Sequence, residues 1–286
     1  FIFDKFFYYE LKQLGVKNIY YLPLAVNTDR LNSQLNSQTR EEKDRFSADI
    51  SFVGSMYHKN SYDDIKDKLP PYLRGYFDAA MLAQLNIYGD NIIDELLTVD
   101  ILKQLSEFVD FRQDKRAFSD IRLVFESTFL GFKLANIERV RTLNLLAKKN
   151  KVALYTDEQD TSLINVDFKG TVDYMNDMPK VFNNSSINLN MTIRNIRTGI
   201  PLRVWDILGA GGFLLTNYQI ELTDYFKNEE SIVYYEDMYD CCKKAEYYLL
   251  HEDKRRQIAA KGHELVSKKH SYINRVKYIL DIIGKM

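Results

Sequence analysis

The sequence predicts an α/β fold: a parallel sheet with helices on its faces, interrupted by a large helical insertion and preceded by a short separate unit. Three observations predict it. Apolar strand-like runs alternate with amphipathic stretches in the second half of the chain. A long block repeats apolar residues every three or four positions. A polar stretch follows the first thirty residues.

The 286 residues are 45% hydrophobic and 13% aromatic, enough for one large core or two modest ones. Twelve Gly and five Pro are few, so regular elements should dominate and each Gly or Pro should sit at an informative place. Basic and acidic residues nearly cancel, 39 against 40, which argues against a nucleic-acid or anionic-membrane partner and for a small-molecule ligand. Cys241 and Cys242 are adjacent in a helical stretch, where neither a disulfide nor a metal site is expected. They point to a reducing, cytoplasmic setting, and no apolar run approaches the ~18 residues of a membrane span. The start at Phe1-Ile2-Phe3-Asp4, without methionine, reads as the middle of a domain, so a longer parent chain is expected.

Residues 1–31 read as a small unit: an apolar start, a helix through Phe6, Phe7, Leu11 and Leu14 stopped at Gly15, and a strand from Ile19 to Leu24. Residues 32–47, rich in Ser, Gln, Asn and Glu, read as a linker. A second domain, 48–286, opens with the strand Asp49 to Ser55, whose end in small residues suits a turn facing a ligand. The helical insertion spans about 62–150, with apolar spacing over Ile92–Val109 and Ile121–Leu146. Further strands are expected at Val152–Thr156, Ile187–Thr192, Phe213–Thr216 and Ser231–Tyr235. Asp177 with Pro179 should open one helix, and Pro201 another that stops at Gly211-Gly212. Helices at Met238–Leu250, Lys254–Ser267 and Ile273–Ile283 complete the chain.

The segment from Arg197 to Thr216 carries the chemistry. Gly199-Ile200-Pro201 leaves backbone N–H groups free at a helix start, which favours an anion such as a diphosphate. Arg197 and Arg203 could add charge-assisted bonds to the same phosphates. Asp206, about one turn after Arg203, can share its helix face and accept from two ribose hydroxyls. The competing reading is a plain surface ion pair between Arg203 and Asp206.

The run Gly199 to Thr216 resembles the donor-site signature of GT-B glycosyltransferases, in which an acid is followed five residues on by a glycine and then an apolar strand; Asp206, Gly211 and Phe213–Thr216 match. Asp49–Ser55, Leu154–Thr156, Ile187–Asn190 and Gly199–Arg203 resemble, more narrowly, the spore-maturation CgeB-like members. The resemblance implies a Rossmann-like domain holding a nucleotide-diphosphate sugar as donor substrate, with no further cofactor and no metal, and residues 1–31 as the remnant of an acceptor-side domain. It implies Asp206 at the ribose, Gly54 and Ser55 near the diphosphate and sugar, and Val172, Asp173 and Tyr174 along the base. It also implies that the last helix crosses back to the acceptor-side domain. Thr198, expected with Arg197 and Gly199 among the nucleotide-sugar-binding residues, stands where many retaining members carry a second acid, eight positions before Asp206, which leaves the stereochemistry open.

The activity implied is transfer of a hexose-like sugar to a protein, polysaccharide or cell-surface acceptor. The rival reading is an inert relative whose helical insertion binds a partner. A dinucleotide-dependent oxidoreductase lacks its G-x-G-x-x-G. His58, after the Gly54 turn, is a weak catalytic candidate, while His251, His263 and His270 read as solvated.

Overall fold

The computed structural model describes residues 1–109, 121–157 and 159–285. The chain begins with helix α1, Lys5–Gln13, capped by the Asp4 side chain and ended by Gly15 at a φ of 84°. Helices α2, Thr28–Asn36, and α3, Arg40–Phe46, lead into strand β1, Ala48–Val53. The insertion follows as α4, Ser61–Ile65; α5, Pro71–Gln84; α6, Ile93–Leu96; α7, Val99–Ser106; α8, Ile121–Val124; and, after a π-helical stretch Phe125–Gly131, α9, Phe132–Leu146. Residues 110–120 of the expected helical block lie outside the described residues.

Strand–helix alternation then sets in: β2, Val152–Tyr155; β3, Val166–Gly170; α10, Met178–Asn184; β4, Ser185–Asn190; α11, Leu202–Gly209; β5, Leu214–Asn217; α12, Leu222–Tyr225; and β6, Val233–Tyr235. The last helices are α13, Met238–Leu250; α14, Glu252–Lys269; and α15, Tyr272–Ile283.

The strands form one parallel six-stranded sheet in the order β3-β2-β1-β4-β5-β6. Chain order runs outward from β1 in both directions, so the topology switches between β1 and β4, the arrangement of a Rossmann-like doubly wound sheet. Ile50 lies beside both Val152 and Ile187, and Phe52 beside both Leu154 and Leu189. These residues face one core with Leu143 and Leu146 of α9 and Tyr248 of α13. On the other face Ala153, Tyr155 and Leu214 meet Phe182 of α10 and Val204, Trp205 and Leu208 of α11. The insertion keeps a core of its own around Phe77, Phe125 and Leu134. The residues of the central strands are therefore buried on both faces, which explains why they read as apolar runs.

Four local features differ from the sequence reading. Ile19–Leu24 is not a strand; it makes only a parallel bridge, Tyr21 with Ile2. The polar stretch 32–47 is largely helical, because Leu31 and Phe46 each present one buried apolar side chain and Thr39 with Glu42 forms a capping box. Strand β3 was not anticipated: it is an edge strand whose Asp167 and Lys169 face solvent as a 2.6 Å ion pair, so its pattern is half polar. His270 is buried against the Trp205 ring, 5.0 Å between centroids, and burial pushes its imidazole down to about 4. Asp177 stands at the N-cap of α10 as the sequence suggests, although its side chain makes no cap bond among the described residues.

Candidate functional site

β1 delivers the chain into the turn Gly54-Ser55, where the Gly54 N–H donates to the Tyr155 carbonyl at 3.0 Å and ties the ends of β1 and β2 together. β4 ends at Asn190, whose side-chain amide donates to Thr192 Oγ1 at 3.0 Å and Thr216 Oγ1 at 2.9 Å. Between these two exits, at the switch point of the sheet, lies a crevice of about 250 Å³ lined by Gly54, Ser55, Tyr57, Thr192 and Pro201 together with Arg139 and Arg203. Open α/β sheets bind their ligands at this place.

Arg139 comes from α9. Its guanidinium lies 5.2 Å from the centroid of the Phe52 ring and 4.9 Å from that of Tyr57. It donates through Nη2 to the Met191 carbonyl at 2.7 Å and through Nη1 to the Ser55 carbonyl. Both walls of the crevice are thereby fixed to one buried cation. Burial lowers its pKa, yet a guanidinium stays charged. Its Nε is buried with no hydrogen-bond partner among the described residues.

α11 follows directly on Pro201, its N-cap residue, whose φ of −67° suits the entry to a helix and whose missing N–H is not needed there. The helix buries Val204, Trp205, Ile207 and Leu208 and turns Arg203 to the crevice. Arg203 packs over the Phe182 ring at 5.5 Å, touches Met178 Sδ, and stands 3.9 Å from Asp206 Oδ2. Asp206 is only 7% exposed and accepts from the Tyr174 hydroxyl at 3.1 Å. Burial raises its pKa to about 6, against the pull of Arg203 and Tyr174. Burial, followed by the Asp206 charge, pushes Tyr174 up to about 12. A buried carboxylate with few donors beside it is suited to accept a pair of hydroxyls.

Arg203, Asp206 and Tyr174 are thus brought together, and Gly54 and Ser55 share the crevice with Arg203. Val172 packs against the core beside α10, and exposed Asp173 caps the following turn by accepting from the Asn176 N–H at 2.7 Å. His58 is half-buried in the turn after β1. Three other residues face elsewhere. The Arg197 guanidinium pairs with Asp94 and Glu126, each at 3.1 Å. The backbone N–H groups of Arg197 and Thr198 donate to Asp4 Oδ2 at 2.9 and 3.2 Å. At Gly199 a Cβ would come within 3.1 Å of the Asp4 Cα and the Phe3 carbonyl, so the N-terminal segment lies directly over it.

Arg139 was missed by the sequence reading. The signal was present: it stands at helical spacing between Ala135 and Leu143 on a buried stripe, where an unexplained charge marks a site. Among the described residues no group of three His, Cys, Asp or Glu side chains could hold a metal ion, and no helix is long and apolar enough to cross a membrane.

A family model described as glycosyl transferase-like matches residues 137–281, just over half of the chain. The fold is similar to that of a glycosyltransferase from Rickettsia africae, at 11% identity and a TM-score of 0.50, over 99% of this chain and 62% of that one. A sucrose-phosphate synthase from Thermosynechococcus elongatus (10% identity, TM-score 0.49, 99% and 57% covered) and Anabaena HepE solved with UDP (8%, 0.49, 99% and 63%) also match. The chain therefore spans about 57–63% of the length of these proteins. No curated protein matches the chain. The mixed α/β architecture with its parallel six-stranded sheet is that of GT-B proteins.

Proposed function

We propose, for a chain that belongs to the glycosyl transferase-like family, that the crevice between β1 and β4 is the donor site for transfer of a sugar from a nucleotide-diphosphate donor to a protein, polysaccharide or cell-surface acceptor. The observation that carries this reading is the convergence of Arg139, Arg203 and Asp206: two cations on one crevice and a buried carboxylate one helical turn from the second. That set matches a diphosphate joined to a ribose.

In this reading ionised Asp206 accepts from the two ribose hydroxyls, with Tyr174 at the rim and the strip Val172–Tyr174 along the base. Arg203 reaches the diphosphate, and Arg139 holds a fixed positive charge beneath the Gly54-Ser55 turn. As the bond to the sugar breaks, negative charge grows on the departing diphosphate. Cations already in place stabilise that charge without reorganisation. Because the two guanidiniums supply the charge, transfer without a metal ion belongs to the proposal. So do a hexose as the transferred sugar, a CgeB-like place within the family, and a cytoplasmic location.

A thermal-shift panel of nucleoside diphosphates and nucleotide sugars tests the reading. A ligand at a hundredfold its dissociation constant should add about 2.7 kcal/mol to stability. A panel without any shift would remove the donor site.

A further inference from the structure

The loop from β4 to α11, residues 191–201, forms one wall of the crevice, and the helical insertion grips it repeatedly. Arg139 holds its first carbonyl, at Met191. Glu138, the preceding residue of α9, pairs with Arg194 at 3.3 Å, and both are buried. The Asn195 amide donates to the Ser127 carbonyl at 3.1 Å, and a Cβ at Gly131 would come within 2.6 Å of Asn195 Oδ1. Farther along, Arg197 is forked between Asp94 and Glu126 at 3.1 Å each, with Glu126 also accepting from Asn91 at 2.7 Å. Glu126, Ser127 and Gly131 all belong to the π-helical stretch, whose wide turn departs from ordinary helix geometry where the loop docks.

We propose that the helical insertion is the frame that positions the crevice, and that Glu126 with Arg197 is its principal joint. Arg197 then acts as a positioning residue that holds the loop between Met191 and Pro201 at the distance a diphosphate needs from Gly54. The effect on nucleotide affinity rests on the donor-site reading; the effect on the loop does not.

The two roles open to Arg197 predict opposite signs for Glu126→Gln. If the cluster mattered only through charge near the ligand, removing a carboxylate would strengthen the binding of an anion. A positioning joint predicts the reverse, since a neutral amide cannot hold the guanidinium fork as a carboxylate does.

The experiment pairs amide hydrogen exchange on the ligand-free chain with calorimetric titration of UDP and GDP, for the wild type, Glu126→Gln, Arg197→Lys and Asp94→Asn. Exchange in residues 191–201 should rise about tenfold in Glu126→Gln while α13 keeps its wild-type protection. Nucleotide affinity should fall by a similar factor, and Arg197→Lys, which keeps the charge but loses the fork, should show the same loosening to a smaller degree. Unchanged loop exchange, or a rise spread evenly over the sheet, would overturn the proposal. Asp94 is the more exposed partner, so Asp94→Asn gives a folded test should Glu126→Gln fail to fold. A loop that loosens as expected in a chain that binds neither nucleotide would leave the joint standing and remove the donor-site reading alone.

Discussion

Asp4 and Thr198 are joined twice: the Thr198 N–H donates to Asp4 Oδ2 at 3.2 Å, and the Thr198 hydroxyl lies 2.9 Å from Oδ1. The same hydroxyl lies 2.7 Å from Glu221 Oε1, and with its single hydrogen it donates to one carboxylate at a time. Asp4 also caps α1 through the Phe6 N–H at 2.9 Å and accepts from the Arg197 N–H. One buried carboxylate thus ties the N-terminal segment to the loop that leads into α11. Asp4→Ala should strand these donors and lower stability by about 1.5–3 kcal/mol in urea or guanidinium unfolding. An unchanged midpoint and slope would show that the junction contributes nothing to the fold.

Gly212 gives a second stability prediction. A Cβ there would come within 2.5 Å of the Phe182 carbonyl and 2.6 Å of the Asn188 amide nitrogen, and neither neighbour is a flexible side-chain end. The Asn188 amide in turn donates to that carbonyl at 2.8 Å and accepts from Ser51 at 2.9 Å, so its position is fixed. Gly212→Ala should therefore cost about 1–3 kcal/mol by overpacking. Neighbouring Gly211, at a φ of 72°, ends α11, and Ala there should be unfavourable for its backbone instead. A Gly212→Ala chain as stable as the wild type would contradict the close approach.

Much of this organisation was legible in the sequence, because parallel strands buried on both faces leave apolar runs and because Pro201 and Gly211 bracket α11. Arg203 and Asp206 could be paired from spacing alone. What could not be read was long-range. Nothing local marks that the backbone amides of Arg197 and Thr198 meet a carboxylate almost two hundred residues earlier in the chain. The Arg197 guanidinium was likewise expected at phosphates, and its pairing with Glu126 depends on how the insertion folds back. β3 escaped notice because its charged face resembles a loop, and α2 and α3 because their polar composition hides single apolar anchors.

The raised pKa of Asp206 gives a pH dependence with a definite sign. Burial holds the Asp206 carboxyl near 6, above the usual 3.8, so the contribution of this group to folding is greatest when protonated and is lost as pH rises through about 6. Ribose hydroxyls donate best to the ionised form, so ligand affinity should change in the opposite sense and strengthen as pH rises through the same window. Titrating a nucleotide sugar by calorimetry across this range, with Asp206→Asn as control, should give a rising affinity for the wild type and a flat one for the variant. A flat wild-type profile would place the ribose away from Asp206.

Arg139 makes a fourth prediction. Arg139→Met keeps much of the packing between Phe52 and Tyr57 but leaves the carbonyls of Ser55 and Met191 without their donor. Nucleoside diphosphate binding should weaken by about 1.5–3 kcal/mol, while binding of the bare nucleoside changes little. Equal losses for both ligands would mean that the cation serves the fold and not the phosphates.

The most direct measurement is the calorimetric affinity of UDP and GDP for the wild-type chain beside the same titration of Asp206→Ala. The variant removes one buried carboxylate whose two partners, exposed Tyr174 and half-buried Arg203 one turn earlier on α11, keep access to solvent, so it should fold as the wild type does. The account predicts saturable binding of at least one of the two nucleotides by the wild type, weakened by about 1.5–3 kcal/mol in the variant. Equal affinities in the two chains, or no binding by a folded wild type, would contradict it.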